Sequence, residues 1–283
     1  MMKIAEYRRK LAETLESVIP DESRYIADML LCEALGVSHS ELLAKQLEEV
    51  PQTVDPFISG AVMELSLGKP LQYVLGKCNF YGYDIEVGDG VFIPRSDTEI
   101  GVRAALGVLK DGGLFADICS GSGCIAKAIA CEKPKVSGYA LELSRKALKY
   151  TEKNLADCRN VSVRRFDALD EDDYIALAGV LERPLDLVIC NPPYIPTDDI
   201  ATLDTQVRYE PESALDGGED GLRYYRAVTA YVPHLLKRDG VLIYEIGIGQ
   251  CADVSAILRA QGYEIAVLKD YGKIDRIILA KKY

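Results

Sequence analysis

The chain has 283 residues, 48% of them hydrophobic and 27% charged, and carries a formal net charge of −11. That is ample apolar material for one large domain or two smaller ones, and an acidic balance repels phosphate backbones, which disfavours a generic nucleic-acid binder. Eight scattered cysteines without a C-x-x-C pair, with His39 and His234 as the two histidines, argue against a metal site and for free buried thiols.

The start is a charged amphipathic pattern (Ile4, Tyr7, Leu11, Leu15) without an apolar signal region, and no apolar run is long enough to span a bilayer. The expected setting is cytoplasmic. Residues 1–70 read as a small helical bundle. After a break at Pro20, a second stripe of Tyr25, Ala27, Met29, Leu30, Leu31 and Leu35 ends at Gly36. Ser38 or Ser40 is placed to cap a helix over 41–47, and Phe57 to Leu67 forms a last helix ending at Gly68.

Residues 71–93 change period. Leu71, Tyr73, Leu75, Phe80, Tyr81, Tyr83, Ile85 and Val87 lie among glycines and read as strands and tight turns, a β-hairpin linker. Over 94–283 strand and helix alternate. Ser96-Asp97-Thr98-Glu99 fits a capping box for a helix to about Leu109. Strands are expected at 114–118, 136–141, 161–165, 185–190, 241–246, 264–268 and 276–280. Helices are expected near 124–131, 144–158, 222–236 and 251–261. Such alternation predicts an α/β fold with a mostly parallel sheet covered by helices on both faces. The last two strands are joined too tightly for a parallel crossover and should form an antiparallel pair at one edge.

The candidate site residues fall at strand ends, where open α/β sheets bind ligands. The first strand runs into Asp117-Ile118-Cys119-Ser120-Gly121-Ser122-Gly123 and then a helix, so glycine turns and helix N–H groups face one point. That loop alone is also compatible with other nucleotide folds, or with a turn serving only strand–helix packing. Glu142 ends the second strand, about 20 residues beyond the loop, where a carboxylate can accept ribose hydroxyls; a solvated Glu beside a helix start is the alternative. Asp167-Ala168 follow the third strand, and Asp167 is either an acceptor for an adenine amino group or a turn former.

The fourth strand ends in Asn191-Pro192-Pro193-Tyr194. Proline cannot continue a central strand, so the chain must leave the sheet at Asn191. The turn offers backbone acceptors, one carboxamide and one aromatic face, a set suited to a planar amino group. Taken by themselves these four residues are equally a stiff turn with a capping Asn. The two scattered histidines offer no general base, so orientation and electrostatics would have to carry the chemistry.

Together the Asp-x-x-x-Gly-x-Gly loop, the strand-end acid and Asn-Pro-Pro-Tyr resemble class I S-adenosylmethionine-dependent methyltransferases that act on planar amino nitrogens. Stretches such as Gly68-Lys69-Pro70-Leu71-Gln72-Tyr73, Ile93-Pro94-Arg95-Ser96-Asp97-Thr98-Glu99, Tyr209-Glu210-Pro211-Glu212-Ser213-Ala214-Leu215, Glu245-Ile246-Gly247 with Gln250, and Lys269-Asp270-Tyr271-Gly272 extend the likeness along the chain, to the HemK/PrmC family. The resemblance implies a Rossmann-like catalytic domain behind an N-terminal helical substrate-recognition domain. It implies S-adenosyl-L-methionine as cofactor and methylation of the glutamine N5 in the Gly-Gly-Gln motif of class 1 peptide chain release factors. Asp117, Cys119, Ser120, Gly121, Ser122, Gly123, Glu142, Asp167, Ala168 and Asn191 would then bind cofactor, and Asn191, Pro192, Pro193 and Tyr194 substrate. A monomer without stable nucleic-acid or membrane partners is expected. Cys119, where a glycine is usual, and Ala168, where an aromatic is frequent, depart from the family pattern. The acidic segment Glu210–Asp220 reads as a solvated loop or a substrate-facing lid. Arg95 reads as a contact to the cofactor carboxylate or to Glu99. The competing reading is an adenine-N6 methyltransferase, since adenine presents the same planar amino group; an NAD oxidoreductase would leave Asn-Pro-Pro-Tyr without a role.

Overall fold

The computed structural model describes residues 2–282, so Met1 and Tyr283, the first and last residues of the expected domains, lie outside the described residues. The chain divides into two compact units, one of residues 1–76 with 205–209 and one of 77–204 with 210–283.

The first unit is helical. Its helices Ile4–Glu16, Ser23–Leu35 and Val54–Ser66 turn their apolar stripes inward, and Leu15, Leu30, Leu31 and Leu42 are completely buried. Gly36 takes a left-handed φ of 64° to stop the second helix. Ser38, one of two candidate caps, closes a full capping box with Glu41 at the start of His39–Ala44. Inside this core Asp28 accepts from Arg8 Nη2 at 2.7 Å and lies 3.0 Å from His39 Nε2. Leu71–Leu75 is a short helix rather than the start of a hairpin. The alternation of Leu71, Tyr73 and Leu75 imitates a strand, but the Pro70 carbonyl accepts from both the Tyr73 and Val74 amides in the first turn, and Gly76 ends the turn at φ 72°.

The second unit opens with a two-stranded antiparallel hairpin, β1 (Lys77–Phe80) and β2 (Tyr83–Glu86). Its main sheet has seven strands: β3 (Leu114–Ile118), β4 (Ser137–Glu142), β5 (Val161–Arg165), β6 (Leu185–Cys190), β7 (Leu236–Glu245), β8 (Glu264–Lys269) and β9 (Asp275–Lys281). They lie in the order β5-β4-β3-β6-β7-β9-β8, parallel from β5 to β7 and antiparallel around β9. The chain winds outward from β3 to β5, then returns to β6 on the other side. The C-terminal ends of β3 and β6 therefore flank the point where the winding reverses.

Several expected elements differ in extent: β7 begins at Leu236 rather than 241, and the helix expected over 144–158 ends at Asn154. The helix expected over 222–236 spans Arg223–Tyr231, because Pro233 removes a donor and converts the next turn to a 3₁₀ form before β7 begins. An additional helix, Glu171–Ala178, is capped by Asp170 and buries Tyr174 and Leu177. Among the described residues no helix is long and apolar enough to cross a membrane. All eight cysteines are free thiols, with Cys124, Cys158 and Cys190 buried and the others partly exposed.

Sheet packing leaves no room at Gly138 on β4, opposite the fully buried Phe115 of β3: an added Cβ would run into the Phe115 ring. Gly138→Ala is expected to lower unfolding free energy by about 1–3 kcal/mol, seen as a lower urea midpoint at unchanged slope, and Phe115→Leu in the same chain should recover part of it.

Candidate active site

Strand β3 delivers Asp117 to the reversal point completely buried. Its Oδ2 accepts from the Ala126 amide at 3.2 Å, in the first turn of helix Cys124–Glu132, while Oδ1 has no protein partner among the described residues. Burial pushes this carboxyl well above the usual carboxylate range, and nearby Glu142 adds to the rise. The following turn is tightly specified. Cys119 has φ 60°, Gly121 55° and Gly123 79°. The Ser120 amide donates to the Leu141 carbonyl at 3.1 Å, and its buried hydroxyl has no protein partner among the described residues. Asn154 donates to the Ser122 carbonyl and Thr151 to the Gly121 carbonyl, so the helix Arg145–Asn154 holds the turn from behind.

Glu142 ends β4 beside this turn. Its two oxygens accept from the Gly121 amide at 2.8 Å and the Ser144 amide at 2.7 Å, leaving further lone pairs on each. Burial raises its pKa, and the backbone donors partly oppose that. Asp167, beyond β5, uses Oδ1 to accept from Leu169 in a turn. Ala168 is buried and its carbonyl accepts from Tyr174 at 3.0 Å, so the phenol of the unexpected helix braces the position where an aromatic was missing.

Asn191 leaves β6 half-buried, followed by buried Pro192 and Pro193. Its Nδ2 donates to Thr98 Oγ1 at 3.4 Å, and Thr98 donates to Glu245 Oε2 at 2.6 Å. Tyr194 is fixed through its backbone: its carbonyl accepts from Gln250 Nε2 at 2.8 Å, and Gln250 Oε1 accepts from the Gly247 amide at 3.0 Å. A side chain at Gly247 would meet Gln250 and the Tyr194 ring, so glycine is needed for that approach. Burial raises the Tyr194 phenol to about 12, and it serves as a neutral aromatic surface.

All the predicted residues thus collect at neighbouring strand ends. Thr98, Glu245 and Gln250 join them; spacing had placed Thr98 in a capping box and had given Glu245 and Gln250 no role. The expected capping box at Ser96–Glu99 does not form: Asp97 is helical, Thr98 is spent on Glu245, and Glu99 accepts from the Tyr81 amide at 2.9 Å. Arg95 pairs with Glu210 rather than Glu99. Glu210 is itself buried and accepts from the Ile93 amide at 2.8 Å, so the acidic segment is not uniformly solvated. A strand-terminal Glu in the apolar run Val241–Ile246 was the available signal for Glu245.

The unbroken strand order with a glycine turn at the reversal point and an Asn-Pro-Pro-Tyr exit defines a Rossmann-like methyltransferase fold. Two solved structures share it: the hMettl16 catalytic domain in complex with a MAT2A 3'UTR hairpin (TM-score 0.59, 13% identity, 85% of each chain covered), and a methyltransferase from Pyrococcus furiosus (TM-score 0.50, 18% identity, 72% of this chain and 90% of that one). Residues 6–76 match the PrmC N-terminal domain family and residues 83–207 the methyltransferase small domain family. Release factor glutamine methyltransferases of Thermodesulfovibrio yellowstonii (35% identical over 270 residues, 90% of this chain and 91% of that protein) and Chlorobaculum tepidum (36% over 270 residues, 90% and 89%) are similar almost end to end. The chain belongs to the release factor glutamine methyltransferase family.

The left-handed Cys119 costs about 1–2 kcal/mol relative to a residue without Cβ. Cys119→Gly is expected to hold or raise the thermal midpoint although it truncates a packed thiol, whereas the β-branched Cys119→Val should lower it. Differential scanning calorimetry of the two variants distinguishes strain at this turn from ordinary packing.

Proposed function

We propose that the protein transfers the methyl group of S-adenosyl-L-methionine to the side-chain amide nitrogen of the glutamine in the Gly-Gly-Gln motif of class 1 release factors. The observation that carries this reading is that the similarity covers both the helical unit and the Asn191 loop, in relatives named for that activity. A methyltransferase of adenine would share the loop and would not require the N-terminal domain of this family. The helical unit, residues 1–70 as read from the sequence, acts as the substrate-recognition part; 71–93 is the linker and 94–283 the catalytic part. The finer reading of its setting is a cytoplasmic monomer with no stable nucleic-acid partner.

The residues present fit the cofactor. An unpartnered oxygen on buried Asp117 and a buried Ser120 hydroxyl suit the polar amino-acid end of a cationic ligand, which would also favour the ionised form of Asp117. Glu142 retains lone pairs that would accept ribose hydroxyls, and Asp167 with Ala168 would hold the adenine. Gly121 faces open space, so backbone can approach a ligand there, with Cys119, Ser122 and Gly123 shaping the turn. When bound, the group supplies an electrophilic methyl on a sulfonium.

An amide nitrogen is a weak nucleophile because its lone pair is shared with the carbonyl. Asn191 Oδ1 and the Pro192 carbonyl accept its two N–H bonds, which raises electron density on nitrogen and fixes its direction. The Tyr194 ring covers the amide plane, and Pro193 keeps the backbone stiff. Orientation of this kind supplies up to ~10 kcal/mol in the best intramolecular analogues, and the surrounding dipoles need no reorganisation.

Labelled cofactor offered with a release factor, its glutamine-substituted variant and nucleic acid should label the first alone; label in nucleic acid overturns the proposal. Asn191→Ala is expected to reduce methyl transfer by roughly 100-fold or more while cofactor binding, measured by calorimetry, changes little.

A further inference from the structure

We propose that Glu245 is a positioning residue for methyl transfer, acting both directly and through Thr98 to set which side of the Asn191 carboxamide faces the substrate. The inference rests on Asn191 being the acceptor described above. A carboxamide is nearly symmetric in shape, with a donor on one arm and an acceptor on the other, and packing alone cannot orient it. A hydrogen-bond chain of fixed polarity can. An ionised carboxylate only accepts, so the Thr98 hydroxyl hydrogen is committed to Glu245 at 2.6 Å. The Thr98 oxygen then has only acceptor capacity left, and at 3.4 Å it selects the NH₂ arm of Asn191. Oδ1 is the arm left for the substrate amide, and an acceptor is what an incoming N–H requires.

Thr98 and Glu245 are each 3% exposed, and the chain reaches the half-buried Asn191 at its outer end. Every element packed on Glu245 contributes a polar or charged neighbour. Thr98 comes from the helix Thr98–Val108 and Asp97 from the position before it, Asn191 and Tyr194 from the loop after β6, and Arg276 from β9. Tyr225 donates to the Glu245 carbonyl at 2.8 Å, and Tyr244 precedes it on β7. Arg276 is 3.6 Å from Asp97 and 3.2 Å from Asp270, so its charge is shared rather than devoted to Glu245. Burial consequently pushes Glu245 up to about 7, with Asp97 adding to the rise and Thr98, Arg276 and Asn191 opposing it.

The sign follows from the polarity. Above that pKa the carboxylate holds Oδ1 toward the substrate. As pH falls through it, the protonated carboxyl donates to Thr98, the Thr98 hydrogen becomes available to Asn191 Oδ1, and the reversed amide presents NH₂ to another N–H donor. Methyl transfer therefore loses rate on the acid side of neutrality.

The test measures kcat and KM for a release factor from pH 5.5 to 9; the acid limb of kcat/KM, which reports the group in the free enzyme, is expected at about 7 in the wild type. Glu245→Gln cannot titrate, so the acid limb disappears, and kcat falls on the order of 10- to 100-fold with KM little changed. Thr98→Val removes one hydrogen bond that favours the charged form and leaves the direct Asn191 contact to Glu245, so the limb weakens and moves to higher pH; Thr98→Ser returns it to the wild-type position. An acid limb retained in Glu245→Gln, or identical limbs in Thr98→Val and the wild type, overturns the proposal. A wild-type protein that methylates no release factor at any pH contradicts the substrate assignment instead, so the two failures are separable.

Discussion

Two consecutive prolines at the end of a central strand impose the constraint on which the rest of the site depends. Neither Pro192 nor Pro193 has a backbone N–H, so β6 cannot continue its ladder and its last polar side chain, Asn191, is expelled at the sheet's end. The reversal in strand order places that exit beside the glycine turn after β3, with Ile118 and Cys190 in register as direct neighbours. The exit is then clamped from both sides. Thr98 and Glu245 hold the Asn191 side chain, and Gln250 holds the Tyr194 carbonyl. A flexible turn of the same composition would hold acceptors in the same neighbourhood without a fixed direction, and direction is what a delocalised amide nitrogen needs in order to react.

The same end of the sheet concentrates unfavourable electrostatics. Asp117, Glu142 and Glu245 are all carboxyl groups whose pKa is raised chiefly by burial. Carboxylates in such surroundings contribute little to folding and are costly when ionised. Cys119 adds backbone strain at the turn between them. A fold selected for stability alone would place apolar groups and a glycine here. Their assembly at the winding reversal, away from the apolar sheet interior of Val188, Leu242 and Ile278, marks where stability has been exchanged for function.

What could be read from the sequence was what depends on neighbours in the chain. The boundaries of β3 and β6 follow from short apolar runs stopped by loops or prolines, those of β5 from the alternating Val161 and Val163, and all three agree with the structure residue for residue. The antiparallel edge followed from a connection too short for a crossover. Local periodicity failed where two elements share a pattern: Leu71, Tyr73 and Leu75 alternate like a strand, yet a proline start and glycine stop make five residues helical. The helix Glu171–Ala178 begins with three acids, is only eight residues long and buries just Tyr174 and Leu177, so its pattern was weak. Long-range pairings had no local signal. Thr98 and Glu245 are separated by 147 positions and Arg95 and Glu210 by 115, so Thr98 passed for an inner position of a capping box and Glu210 for a surface acid. The strand-end residues Asp117, Glu142, Asp167 and Asn191 were legible because each lies where an apolar run meets a turn; the groups that orient them were not.

Fragmentation mass spectrometry of a release factor after incubation with the protein and S-adenosyl-L-methionine tests the central claim most directly. The account predicts one added methyl group on the Gly-Gly-Gln peptide, retained on the glutamine side chain when the backbone is fragmented, and none on that peptide when cofactor is omitted. A methyl group located on another residue, or an unmodified glutamine after prolonged incubation with folded, cofactor-binding protein, would contradict it.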